Sequence, residues 1–219
     1  MKKLLSILMV MTLMASFVAC SKSQPSQQSS QAAQKNAVAD GVKNDSKNTK
    51  KGDPYMNPKV EIKIKDYGII QLELDRNEAP ITVENFMKLV NKKFYNGLTF
   101  HRIMEGFMMQ GGDPKGDGTG GSEDHIKGEF KNNGVNNNIS HERGVISMAR
   151  SMDPNSASSQ FFICHMGAEF LDGEYAAFGH VTKGMDVVDK VCTDAKPVDG
   201  NGTIPKDKQP VIEYIKEIK

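Results

Sequence analysis

Apolar and polar positions alternate through Val60, Ile62 and Ile64, break at Tyr67-Gly68, and alternate again through Ile70, Leu72 and Leu74. A period of two sends successive side chains to opposite faces, so "KVEIKIKDYGIIQLELD" predicts an antiparallel hairpin with one buried face. The period then lengthens. In "APITVENFMKLVNKKFY", Val83, Phe86, Leu89 and Val90 fall at helical spacing, with Thr82 as the N-cap candidate. Short apolar strings follow between Gly-, Asp- and Asn-rich turns: "LTFHRI", "GFMMQ", "GVISMAR", "SQFFICH" and "AAFGHV". A second helix is expected at Met185 to Val191. The closing "PVIEYIKEIK" admits either helix or strand, because Ile212, Ile215 and Ile218 keep a period of three. Many short strands and two helices predict a mainly β fold, a closed antiparallel barrel with helices over its ends, since closure removes exposed strand edges.

The first 58 residues do not join this pattern. Met1-Lys2-Lys3 supplies positive charge, and Leu4 to Val18 is an almost unbroken apolar run ending at Phe17-Val18-Ala19-Cys20. This is the layout of a secretory signal peptide over residues 1–19, too short for a transmembrane helix. The break at a cysteine resembles a bacterial lipobox, with Phe17 where Leu is usual. That resemblance implies lipidation of Cys20 by palmitate-type chains, anchoring in a membrane, and residence in the bacterial cell envelope. Residues 20–58 are rich in Ser, Gln, Asn and Lys with almost no aromatics. Such a segment cannot bury enough apolar area to offset the entropy of ordering it, and is expected to be a flexible tether.

Residues 59–219 have the composition of one compact domain, about 160 residues and long enough for a substantial core without disulfides. With 28 basic and 27 acidic residues the net charge is +1, which gives no electrostatic reason to expect nucleic acid as a partner. Besides Cys20 there are Cys164, in the apolar string "FFIC", and Cys192. The bland expectation for Cys164 is a buried thiol, although an oxidising envelope would permit a pair. Neither cysteine nor histidine spacing fits a metal site, and none is expected.

The stretch Gly116-Asp117-Gly118-Thr119-Gly120-Gly121 matches a dinucleotide-binding pattern, but "SEDHIKGEF" after it has no helical periodicity to receive a pyrophosphate. A calcium loop starting at Asp113 would carry Lys115 at its third ligand position. The glycines therefore read as a surface loop needing positive φ.

More informative strings are Phe100-His101-Arg102-Ile103, Gly106 to Asp113, Gly118-Thr119-Gly120-Gly121, Gly144 to Ala149, and Ser159-Gln160-Phe161-Phe162-Ile163. In this order and spacing they resemble the cyclophilin family of peptidyl-prolyl cis/trans isomerases, over essentially all of residues 59–219. The resemblance implies an eight-stranded barrel capped by two helices, with "PVIEYIKEIK" as a strand. It implies an enzyme that rotates X-Pro bonds, needs no cofactor, acts as a monomer on proline-containing peptides and unfolded or exported proteins, and assists their folding. A non-catalytic proline-binding chaperone or surface interaction module is the alternative.

The resemblance also assigns residues. Arg102 becomes the catalytic residue. Phe107, Met108, Phe162 and Leu171 form an apolar pocket for the prolyl ring, and Gln110, Ala149 and Gln160 contact the peptide backbone. His101, Arg150, Phe170 and Tyr175 complete the substrate-binding set, with His101 expected behind the others. Phe170, Tyr175 and Arg150 stand where eukaryotic relatives carry tryptophan, histidine and asparagine, as bacterial cyclophilins do. Peptide binding should survive these changes. Cyclosporin affinity should suffer, because Phe170 lacks the indole N–H donor.

Overall fold

The computed structural model describes residues 56–219. The signal-peptide expectation, the Cys20 lipidation site and nearly all of the tether lie outside them. Eight strands, all pairing antiparallel, form one sheet: β1 (Lys59–Ile64), β2 (Gly68–Leu74), β3 (Thr99–Met104), β4 (Met108–Asp113), β5 (Val145–Met148), β6 (Phe161–Cys164), β7 (Ala177–Lys183) and β8 (Ile212–Ile218), in the order β3-β4-β6-β5-β7-β2-β1-β8. Two helices accompany it, α1 (Pro80–Asn91) and α2 (Met185–Asp194). The expected hairpin is β1–β2, with Ile62 opposite Ile70 and Val60 opposite Leu72.

The expected closed barrel is corrected by the structure: the sheet is an open, curled half-barrel with β3 and β8 as its edges. Near the start of β3, Thr99 forms an isolated bridge with Val211, and the Phe100 N–H donates to the Pro210 carbonyl (3.0 Å). Pro210 has no N–H to return. Farther along, Ile103 N–H donates to Gly202 O (2.8 Å) and Ile204 N–H to His101 O (2.9 Å), so a loop takes the positions a closing strand would need.

The C-terminal segment is a strand, and the three-residue step from Ile212 to Ile215 has a physical cause. Between Lys63 and Ile64 the register against β8 shifts, so that Ile64 faces Ile212 while Lys63 faces Tyr214. The extra residue, Glu213, is a bulge that restores Ile215 to the buried face alongside Ile212.

Helix α1 begins earlier than its apolar stripe indicates. Ala79 is the N-cap and offers no side-chain bond, Pro80 occupies the first turn, and Thr82 sits inside the helix instead of capping it. A distant carboxylate does the capping. Buried Glu129 accepts hydrogen bonds from the Ile81 N–H (3.0 Å), the Thr82 N–H (2.7 Å) and the Thr82 hydroxyl (2.7 Å). Negative charge at a helix N-terminus is favourable, and here it also satisfies donors that have no partner within the helix.

The sheet is buried on two faces in its β4-β6-β5-β7 half. Met109, Phe161, Ile163, Ile146, Met148 and Phe178 turn toward the main core, where Phe86 packs against Tyr95, Phe161 and Phe178 with ring centroids 5.1–5.6 Å apart. The alternate residues Met108, Phe162, Cys164, Val145 and Ala177 form a second, smaller cluster on the opposite face. Cys164 and Cys192 are both buried free thiols, each pushed up to about 12 by burial.

At Gly112, where β4 ends, φ is +83° and an added Cβ would come within 2.6 Å of the Ser159 carbonyl oxygen. Gly112→Ala is therefore expected to destabilise the domain by about 2 kcal/mol or more, from left-handed backbone and backbone collision together. Urea denaturation checks this; a midpoint equal to the parent protein's would contradict it.

Candidate active site

The site lies on the smaller-cluster face, at the β3 edge of the sheet. Arg102 faces Gln110 across the β3–β4 ladder, and Gln110 faces Phe162 across β4–β6. Directly opposed residues of antiparallel strands share a face, so one row carries a guanidinium, an amide and an aromatic ring. Arg102 reaches that face through a bulge. Phe100 pairs with Gly111 and Arg102 with Gln110, leaving His101 as the extra residue. In an unbulged strand, residues two apart share a face, so the bulge is what turns Arg102 away from the core face that Phe100 occupies.

Arg102, Phe107, Met108, Gln110, Ala149, Arg150, Phe162, Leu171 and Tyr175 together line a cleft of about 130 Å³. Met108 and Phe162 are nearly fully buried and make its floor. Tyr175 meets Phe162 edge-on, with centroids 6.0 Å apart. Three of the expected residues stand apart from this cleft. Phe170 is 73% exposed at the rim, its ring against that of Phe107 at 5.5 Å. Gln160 lines an adjoining cleft with Gly118, Thr119 and Gly120. His101 is buried and lines an adjoining polar cleft that Arg102 and Gln110 also border.

The polar groups form a relay. Arg102 Nε donates to the Asn201 carbonyl (2.7 Å), and Nη1 donates to Gln110 Oε1 (3.2 Å). Its remaining partners are soft, the sulfurs of Met108 (3.9 Å) and Met104 (3.3 Å). Gln110 in turn donates to Gln160 Oε1 (2.9 Å), whose amide donates to the carbonyls of Gly118 (3.1 Å) and Gly120 (2.6 Å). Partial burial lowers the pKa of Arg102 from its ordinary value, yet a guanidinium starts so high that it stays charged.

The glycine loop is thus scaffolding for Gln160. It is held from below by Asp113, whose carboxylate accepts the N–H groups of Lys115 (2.8 Å), Asp117 (3.1 Å) and Gly118 (2.7 Å). Burial alone would raise the Asp113 pKa, but these backbone donors outweigh it and hold the carboxyl below its usual range. Among the described residues, no cluster of three or more histidine, cysteine or acidic side chains is placed to hold a metal.

Arg150 walls the cleft. Its Nε and Nη2 donate to the Glu174 carbonyl (2.9 Å) and carboxylate (3.2 Å), and its guanidinium lies 4.7 Å from the Tyr175 ring centre and 5.2 Å from that of Phe130. Sequence reasoning missed Glu174 and Asn201. Asn201 acts through its backbone carbonyl, which leaves no trace in residue type, and Glu174 through its carbonyl and its carboxylate together.

Residues 59–216 match the family described as cyclophilin type peptidyl-prolyl cis-trans isomerase/CLD. The chain belongs to the cyclophilin family. Among curated relatives, this cyclophilin is 45% identical over 126 residues to a peptidyl-prolyl cis-trans isomerase of Helicobacter pylori strain J99, covering 57% of this chain and 75% of that protein. It is 45% identical over 123 residues to peptidyl-prolyl cis-trans isomerase B of Bacillus subtilis strain 168, covering 56% of this chain and 82% of that one. A crystal structure of a cyclophilin type peptidyl-prolyl cis-trans isomerase from Cryptosporidium parvum superposes with a TM-score of 0.66 at 28% identity, covering 74% of this chain and 98% of its own. A second structure of that protein, obtained in the presence of the dipeptide Ala-Pro, gives 0.65 at 28% identity, with 74% and 99% covered.

Proposed function

We propose that the cleft of this cyclophilin catalyses cis/trans rotation about X-Pro peptide bonds, with Arg102 stabilising the twisted amide. The observation that carries the reading is the position of a charged guanidinium at the wall of an apolar pocket, its Nη groups held only by thioethers and one amide. An X-Pro amide resists rotation by roughly 18–20 kcal/mol because the nitrogen lone pair is delocalised into the carbonyl. No bond breaks, so the enzyme needs no nucleophile; it must favour the twisted state over both planar ones. As conjugation is lost the prolyl nitrogen becomes an acceptor, and Arg102 can donate to it or hold the preceding carbonyl.

Phe107, Met108, Phe162 and Leu171 grip the prolyl ring, while Gln110, Gln160 and Ala149 hold the flanking backbone. The structure of the Cryptosporidium protein in the presence of the dipeptide Ala-Pro supports proline-containing peptides as ligands of this cleft. The test is exchange between the cis and trans forms of a short Ala-Pro peptide, read by NMR with and without the full chain. Exchange no faster with enzyme than without it would remove the reading.

The same proposal extends to where the enzyme works. The lipobox-like Phe17-Val18-Ala19-Cys20 and the polar tether after it support a lipid-anchored isomerase in a bacterial envelope, assisting the folding of exported proteins. In expressing cells, Cys20→Ser should shift the protein from the membrane fraction to the soluble one; unchanged fractionation argues against the anchor.

A further inference from the structure

Three side chains stand in a line that resembles a hydrolase triad. His141 Nδ1 lies 2.7 Å from Asp172 Oδ1, and its Nε2 lies 3.0 Å from Ser147 Oγ. The spacing is that of nucleophile, base and orienting acid. Yet Ser147 and His141 are both 0% exposed, so no acyl group can reach the hydroxyl. The line must do something other than covalent chemistry.

It ends at the proline pocket. Ser147 sits directly opposite Phe162 in the β5–β6 register. The His141 ring is stacked on that of Phe162, with centroids 6.0 Å apart and an interplanar angle of 14°. At the other end, Asp172 immediately follows Leu171, another residue lining the cleft. Its Oδ1 also accepts the His141 backbone N–H (2.7 Å), and its Oδ2 accepts the Ser140 hydroxyl (2.6 Å). The short turn before Leu171 is tied to the same histidine, since Ala168 N–H donates to the His141 carbonyl (2.7 Å).

The donors fix a tautomer. A carboxylate only accepts, so Nδ1 carries the proton toward Asp172, and Nε2 accepts from Ser147. Burial pulls the His141 pKa down, and the neighbouring carboxylate does not reverse this, so the ring is neutral with both nitrogens satisfied. A neutral ring bonded at both ends has no freedom to turn about its own axis.

We propose that His141, locked between Asp172 and Ser147, is a positioning residue that holds Phe162 and Leu171 as fixed walls around the prolyl ring. It rests on the assignment of Phe162 and Leu171 to that pocket. Rotation of the X-Pro bond requires the ring to stay still while the rest of the peptide turns. A wall that tips loosens the twisted state most, because reactive geometry is lost steeply with displacement.

The test is steady-state isomerisation by the full chain with two variants. Asp172→Ala removes both acceptor oxygens and should lower kcat about tenfold while KM moves by less than about twofold. Asp172→Asn keeps an acceptor at Oδ1 and should stay within about threefold of wild type. A fold-only role would lower the melting temperature of Asp172→Ala and leave kcat of the folded protein alone, which overturns the proposal. Equal losses in the two variants would also overturn it, since the carboxylate charge would then matter and not the held ring. Should Asp172→Ala fail to fold, Ser147→Ala cuts the other end of the line and carries the same expected kcat loss; wild-type kcat in that variant overturns the proposal. An inactive wild-type protein would instead count against the reading of the cleft itself.

Discussion

Arg102→Ala should lower kcat/KM for a short X-Pro peptide by about 10²–10³-fold, the range seen when one donor aimed at a transition state is removed. The expected loss, about 3–4 kcal/mol, is most of what a thousandfold acceleration requires. Stability should hardly change. Arg102 lies on an edge strand, half-buried, and its strongest bond goes to an exposed loop carbonyl at Asn201. Arg102→Lys should recover only part of the activity, because an ammonium lacks the fork that engages Gln110 and a substrate together. Protease-free NMR exchange measures the rates, and circular dichroism the fold. Equal rates for wild type and Arg102→Ala would sink the mechanism.

Glu129→Ala should do the reverse, weakening the fold while sparing the chemistry. It would strand the Ile81 and Thr82 N–H groups and the Thr82 hydroxyl, and Thr82 is fully buried. Losing a charged cap and leaving buried donors unpaired costs about 3 kcal/mol. In a domain of this size that is a fall in Tm of about 6–12 °C. Glu129→Gln keeps a single carbonyl acceptor and should fall between the two. Below the transition, isomerase activity should persist, since Glu129 lies outside the cleft. A Tm within about 2 °C of wild type for Glu129→Ala would show that water or Thr82 rearrangement replaces the cap.

These two residues mark what could and could not be seen in the chain. The place of Arg102 on the cleft could be read from the ordered motifs around it, and periodicity marked the β1–β2 hairpin and the apolar stripe of α1, while the C-terminal strand fitted a helix equally well. Glu129 could not be read this way: Thr82 looked like the cap because capping is usually local, whereas the actual carboxylate comes from 47 residues away. The bulges at His101 and Glu213 were hidden for a similar reason, since an extra residue shows only when two strands are laid side by side. Closure of the sheet was expected from the need to cover edges. The molecule covers the β3 edge with the Gly202–Ile204 loop, a solution that strand counting cannot distinguish from a barrel. Continuous apolar strings such as "FFIC" carried a further message in plain sight: both faces of that strand are covered.

The two covered faces have different obligations. Phe161 and Ile163 face the aromatic core, where a lost methylene is felt by the whole domain, while Phe162 and Cys164 face the small cluster beneath the cleft. Neighbouring positions in one strand therefore answer to separate selective pressures. A change on the cleft side reshapes the pocket through a small cluster, and a change one residue along disturbs the main core instead, so one strand couples the shape of the site to the packing of the scaffold.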